Sequence, residues 1–373
     1  MEQTNSTTVQ QTIAVLSDPN NTVWREIYRR YAEQIIKNKK KYGENARLFQ
    51  PKEPLLSYSS IGKVSNEGQT TAYDLRFAGQ SVGLIEVNKD WDCKVKLTVT
   101  ERQAKYAKEH FGFKNSNSFE RKSWREDREA IEFRKFYMDN KSTQDIAIKS
   151  QEHRIESELL KEFSKTLRKQ NKLLCNIQPV KLGGKFFQLT TPLKGSTHVP
   201  TISLTSNKKG ATGGGIDILA RVKHEAFKSR LAVIELKDEN IDNESQEVAM
   251  FQALIYATFI AHLLRSDSGK LWWYIFLNKK SAEDILHNIL HKIEDFSSFY
   301  EIEEMLKDVP EILHIDVVTL MPKGNSKEGD FGDIRIDKLN VCLHLYSLYY
   351  DVDENGNPSN FSGTLKEALK ESL

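Results

Sequence analysis

The chain has 373 residues, 54 Lys and Arg against 52 Asp and Glu, a formal net charge of +2, and 39% hydrophobic and 28% charged residues. That length suits two domains, and the apolar share lies well above the disordered regime. The near-neutral balance excludes a wholly basic nucleic-acid coat but leaves room for a local basic groove.

Cys93, Cys175 and Cys342 are far apart and odd in number, and no CxxC or Cys/His spacing joins them. A zinc or disulfide framework is therefore not expected, and a reducing cytoplasm fits. Residues 1–20, rich in Ser, Thr, Asn and Gln, read as a flexible tail without the apolar core of a signal peptide. Val23, Ile27, Tyr31 and Ile35 repeat every four residues and predict a helix running into the basic stretch Lys37–Lys41. From Leu55 to Val99 the pattern changes to strands separated by turn residues. Residues 101–150 return to charged helical sequence, with Phe111, Phe113, Trp124, Phe133, Phe136 and Tyr137 interleaved. Aromatics at such spacing are more often core than base-stacking groups.

A helix is expected from about 151 to 170, with Ile155, Leu159, Phe163 and Leu167 on one face. Strands KFFQLTTPL, GIDILARVK and RLAVIELKD follow, then a helix from about Ser245 to Leu264, then strand LWWYIFLN at 271–278. Ser281 and Asp284 suggest a capping box, and EILHIDVVTL and VCLHLYSLYY close the series as strands. The apolar stretch Ala249–Leu264 is interrupted by Gln252, Tyr256, Thr258 and His262, too polar and short to span a bilayer, so no membrane role is expected. These patterns divide the chain into a tail (1–20), a strand-rich α+β N-terminal domain (21–145), an α/β domain with a mixed sheet (146–350) and a C-terminal tail or helix (351–373).

The chemistry concentrates between Gly213 and Tyr256. A period of two places Asp217 and Leu219 on one face of the first strand, and Leu231, Val233, Glu235 and Lys237 on one face of the next. If the segment centred near Ala226 closes a symmetric hairpin, Asp217 stands opposite Glu235 and Gly215 opposite Lys237. Two carboxylates at such a pair repel each other, and a hard divalent cation such as Mg²⁺ or Mn²⁺ relieves the penalty. A metal that activates water, beside a lysine that steadies developing charge, suits phosphodiester hydrolysis.

Asp217, followed by Glu235-Leu236-Lys237 on the next strand, resembles the PD-(D/E)XK, or restriction-endonuclease-like, nuclease superfamily over roughly residues 151–320. Ile216 stands where many members carry proline. The resemblance implies an αβββαβ core and Mg²⁺-dependent cleavage of nucleic acid, with double-stranded DNA the expected substrate. It also implies Asp217 and Glu235 as metal ligands and Lys237 as the catalytic lysine. Glu158 matches a supporting acid on the preceding helix, and Gln252 with Tyr256 resembles a QxxxY pattern of several branches. A cytoplasmic role in bacterial restriction or phage defence is what such a resemblance suggests. The N-terminal domain would serve recognition, a protein partner or homo-oligomer assembly.

Other readings compete. The alternative for the whole chain is a non-catalytic nucleic-acid-binding or scaffold module that keeps the fold. Read conservatively, Glu158 is a solvated helix residue paired with Arg154, Gln252 bonds nearby backbone, and Tyr256 packs in the core. Asp74, Asp92 and Lys94 mimic the acid–acid–lysine spacing, but a whole strand separates the two acids. His287 and His291 have zinc spacing without a third ligand. The GATGGG run lacks the Lys-Ser/Thr of a phosphate loop and reads as a flexible turn beside the site. Lys161, Lys165, Arg168, Lys169 and Lys172 form a further basic run that would track phosphates.

Overall fold

The computed structural model describes residues 2–33, 35–36, 56–58, 63–64, 70–77, 80–91, 94–107, 109–114, 117–139, 151–164, 176–182, 185–186, 189–195, 199–224, 229–238, 245–277, 308–323, 331–354 and 356–370. The chain divides into two compact units: Asn38–Glu162 with Lys181–Phe187, and Met1–Lys37 with Phe163–Val180 and Gln188–Leu373. The first 37 residues thus belong with the C-terminal half.

Helix α1 (Glu2–Ser17) occupies most of the stretch expected to be a loose tail. Its polar composition conceals a face at helical spacing: Val9, Ile13 and Leu16 are buried together with Thr8 and Thr12. The Thr12 hydroxyl donates to the Thr8 carbonyl at 2.8 Å, and α1 packs on the long helix α6 introduced below. Helix α2 (23–33) is rotated from its expected stripe. Trp24, Ile27, Tyr28 and Ala32 are buried while Val23 is exposed, because the large indole takes the inner position.

The N-terminal unit holds β1 (Leu56–Tyr58), β2 (Lys63–Val64), β3 (Thr70–Phe77), β4 (Gln80–Asn88), β5 (Lys94–Val99), α3 (Glu101–Ala107), β6 (Ser118–Ser123), α4 (Arg128–Asp139) and α5 (Gln151–Ser164). Its antiparallel sheet runs β1-β3-β4-β5-β6, with β2 also on β3. Alternation puts Tyr73, Leu75 and Phe77, then Val95, Leu97 and Val99, on one face. Phe111, Phe113, Phe119, Trp124, Phe133, Phe136 and Tyr137 close over that face. The interleaved aromatics are therefore core, and the segment carrying them belongs with the sheet.

In the next stretch β7 (Ile177–Pro179) opens the C-terminal sheet, and the short hairpin β8 (Lys181–Leu182) with β9 (Lys185–Phe186) belongs to the N-terminal unit. A small pair β10 (Leu193–Lys194) and β11 (Thr201–Ile202) precedes β12 (Ile218–Lys223) and β13 (Ser229–Leu236). Helix α6 (Gln246–Leu264) and helix α7 (Gly269–Leu277) lead to β14 (Leu313–Pro322), β15 (Ile334–Ile336), β16 (Val341–Val352), β17 (Pro358–Ser362) and α8 (Thr364–Lys370). The seven-stranded sheet is mixed: β15-β16-β14-β13-β12-β7, with β17 on β16. Pairs β13–β14 and β14–β16 are parallel, and the others antiparallel.

Two expected core strands are replaced. KFFQLTTPL does not enter this sheet, where the shorter β7 takes the place beside β12. LWWYIFLN is helical as α7: Leu271, Trp272, Ile275 and Phe276 are buried at helical spacing, which an unbroken apolar run does not reveal. The Trp272 indole nitrogen donates to the Tyr28 carbonyl at 3.1 Å, and the strand parallel to β13 is β14 instead. Among the described residues α6 is the one helix long and apolar enough to cross a membrane. It is buried almost throughout, apolar on every side as a core helix must be, and packs on β13 and β14.

Candidate active site

The site grows from the β12–β13 hairpin. Its register runs Ile218↔Ile234 through Lys223↔Ser229, the symmetry expected from a turn centred near Ala226. Asp217 immediately precedes β12, whose Ile218 pairs with Ile234. The Asp217 carboxylate reaches across to β13, where its Oδ2 accepts from the Leu236 amide at 2.9 Å. Glu235 and Lys237, two residues apart on one face, are both buried. Lys237 Nζ donates to Glu235 Oε1 at 3.0 Å and to Gln252 Oε1 at 2.8 Å. Gln252 comes from α6, whose start is set by Ser245 capping the Val248 amide.

Backbone contacts hold the lysine in place. Its amide donates to the Leu320 carbonyl at 3.0 Å, and its carbonyl accepts from the Tyr350 hydroxyl at 2.8 Å. Both contacts depend on β14 and β16 lying parallel beyond β13, so sequence spacing carries no signal for Tyr350.

Tyr256, one turn beyond Gln252, has its phenol pushed well up, first by burial and then by the nearby charges of Glu235 and Asp217, which Lys237 opposes in part. It is a neutral phenol beside two carboxylates rather than a plain packing group. Its QxxxY position was the one available signal.

The glycines are packed rather than flexible. Gly213 and Gly214 donate to the carbonyls of Thr191 and Leu193 at 3.0 and 2.8 Å, and Ile216 donates to Leu189 at 3.1 Å. A Cβ at Gly213 would meet the Leu193 carbonyl oxygen at 2.3 Å, and one at Gly214 the Tyr256 hydroxyl at 1.8 Å. Absent side chains thus let a backbone and a phenol approach closely. Gly215, expected opposite Lys237, bridges to Thr190 instead, and a Cβ there would meet nothing within 4 Å.

The structure brings Asp217, Glu235, Lys237 and Gln252 together. Glu158 lies on α5, which the N-terminal unit carries up to Glu162. Among the described residues no group of three or more His, Cys, Asp or Glu side chains could hold a metal ion. In the other unit β4 stands between β3, which carries Asp74, and β5, which carries Lys94. Asp74 is bonded to Ser81 Oγ at 2.5 Å. Lys37–Lys41, Asp92, Cys93, Leu167, the basic run 165–172, the Ser281–Asp284 capping box, His287 and His291 lie outside the described residues, and nothing is described of the Lys161 side chain.

No family model matches the chain, and no curated protein or solved structure is detectably similar to it.

Proposed function

We propose that the C-terminal unit is a metal-dependent nuclease that hydrolyses phosphodiester bonds, with double-stranded DNA as its substrate and Mg²⁺ or Mn²⁺ held by Asp217 and Glu235. The observation that carries this reading is the convergence of Asp217, Glu235 and Lys237 at one end of the sheet, with Gln252 locking the lysine from α6. The order β7-β12-β13-β14, antiparallel twice and then parallel with α6 intervening, supports a restriction-endonuclease-like core.

The donor set fits such a cation. Mg²⁺ is commonly held by one or two carboxylates, with water and substrate phosphate filling its other positions. Asp217 and Glu235 against Lys237 leave one net negative charge, and open space lies beside Gly215. When bound, the ion supplies Lewis-acid polarisation of a phosphoryl oxygen and lowers the pKa of attached water.

The chain's own groups divide the remaining work. Lys237 presents an ammonium, fixed by Glu235 and Gln252, that would stabilise charge developing on the phosphoryl oxygens. Gln252 and Glu235 orient that ammonium, since both accept from it. The Leu236 amide holds the Asp217 carboxylate toward Glu235. Tyr256 keeps its proton and remains a hydrogen-bond donor beside the carboxylates.

The test is nicking of supercoiled plasmid with Mg²⁺ and with EDTA. Nicking that needs the cation and disappears in Asp217→Asn is the expected result. DNA binding without cleavage under any divalent cation would assign the unit to the non-catalytic scaffold class.

A further inference from the structure

At the other end of the C-terminal sheet a second set of titratable side chains gathers. β14 supplies His314 and Asp316, β16 supplies Cys342, His344 and Tyr346, and β13 supplies Arg230. His224 follows β12, Asp333 precedes β15, and Arg335 lies on it. Asp316 is fully buried and matched within the set: His224 Nε2 lies 2.6 Å from its Oδ2, and Arg230 Nη1 donates to its Oδ1 at 3.4 Å. Tyr346 lies within 3.5 Å of the same guanidinium.

The histidine pair is built differently. His314 Nδ1 lies 2.8 Å from His344 Nε2, and the rings are stacked 15° from parallel. His344 Nδ1 lies 2.8 Å from Asp333 Oδ2. A carboxylate accepts, so His344 carries hydrogen on Nδ1. Its Nε2 then accepts from His314 Nδ1–H when both rings are neutral. One added proton is tolerated: on His314 Nε2 it leaves the bond intact, and on His344 Nε2 it reverses the bond once His314 moves its hydrogen to Nε2. A second added proton is not. It sets two N–H groups and two positive charges face to face at hydrogen-bond distance.

We propose that His314 and His344 form an acid-sensitive clamp, which ties β14 to β16 and through Asp333 to the edge segment bearing β15, and which opens when the pair takes up its second proton. His314 is solvent-exposed, so protons reach it directly. Its pKa is lowered, by burial of the ring first, then by the charges of His344 and Arg230, against the opposing pull of Asp316 and Asp333. The sign follows. The unfolded chain binds more protons than the folded one, so the clamp is complete above the ordinary histidine value of about 6.5 and weakens as pH falls below it. Among the described residues, Cys342, the register neighbour of His314, and Arg335, paired with Cys342, lie next to the pair. The clamp does not depend on the nuclease reading.

The experiment is amide hydrogen exchange across the β15–β16 pairing at pH 7.5 and 5.5, corrected for intrinsic rates, in the wild type and in His314→Gln. Glutamine still donates to His344 Nε2 but takes up no proton. Protection should fall about tenfold on acidification in the wild type and less than about twofold in the variant. Equal losses in both overturn the clamp. A second measurement on the wild type alone removes dependence on the variant's folding. NMR titration should show the two rings coupled, in steps separated by more than about one pH unit. Two independent transitions near the ordinary value overturn the proposal. So does a zinc-induced rise in melting temperature that His344→Ala abolishes, which would make the pair a metal site.

Discussion

The two ends of the C-terminal sheet bury the same kinds of group to different effect. At one end Lys237 pairs with Glu235, and the Asp217 carboxylate accepts from the Leu236 amide between them. At the other Asp316 is enclosed by two basic groups, Arg230 and His224. Charge removed from water is tolerated when it is matched locally. The Asp316 end is matched by the chain itself and reads as structure. The Glu235 end is matched by Lys237, and the proposed function adds a cation held by Asp217 and Glu235. Arg230 and Glu235 also fall on opposite faces of β13, so the two clusters are served by different layers.

The strongest way to break this comparison is Lys237→Ala. If the lysine acts in the transition state, single-turnover cleavage falls a hundredfold or more, about 2.7 kcal/mol of barrier. The lysine is also buried against Glu235, so the metal-free variant should lose roughly 3–5 kcal/mol of stability, with Mg²⁺ restoring part of it. Asp316→Asn should cost stability on a comparable scale, roughly 3 kcal/mol, because it leaves Arg230 and His224 without a counter-charge. Cleavage by the molecules that remain folded should be unchanged. Cleavage lost in Asp316→Asn and kept in Lys237→Ala would reverse the assignment of the two ends.

A titration belonging to neither end sets the acid baseline. Burial in α6, with Arg25 nearby, lowers His262 to about 4. The unfolded chain therefore binds the extra proton first as pH falls. Stability should be full above about 6.5 and decline toward pH 4 by an amount on the order of 3 kcal/mol. His262→Gln should flatten that decline in a pH series of denaturation midpoints.

The metal prediction sharpens the difference. At a hundredfold excess over its dissociation constant, Mg²⁺ should raise stability by about 2.7 kcal/mol in the wild type and in Asp316→Asn. Asp217→Asn should show no such rise by calorimetric melting. The smallest effect concerns Gly214→Ala, which drives a methyl group into Tyr256 and should cost about 1–3 kcal/mol. Tyr256→Phe in the same chain should recover part of that loss. Full stability in the single variant would show that the close approach does not constrain the site.

The local patterns that survived folding are those whose cause is local. Alternation along GIDILARVK and RLAVIELKD, with a turn of symmetric length, was enough to set the β12–β13 register and to place Glu235 and Lys237 on one face. The aromatics from Phe111 to Tyr137 were legible as core because rings at that spacing on a strand-rich domain find an apolar sheet face to cover. What misled was composition. Residues 2–17 look like a polar tail, yet three apolar side chains at helical spacing suffice once α6 offers a surface. Leu271–Leu277 is an unbroken run of apolar and aromatic residues, so no period distinguishes strand from helix, and packing against Tyr28 chose the helix.

The sequence by itself determined the hairpin, its register and the identity of the acids and lysine, because a period of two and a turn length are properties of neighbouring residues. The tertiary structure alone decided that β14, which begins 77 residues beyond the end of β13 (Leu236 to Leu313), lies parallel beside it. It likewise decided that Tyr350 anchors Lys237 and that His314, His344 and Asp333 meet. Parallel pairing joins segments far apart in the chain. Its stability comes from a shared buried core rather than from any local preference, so no local pattern records it.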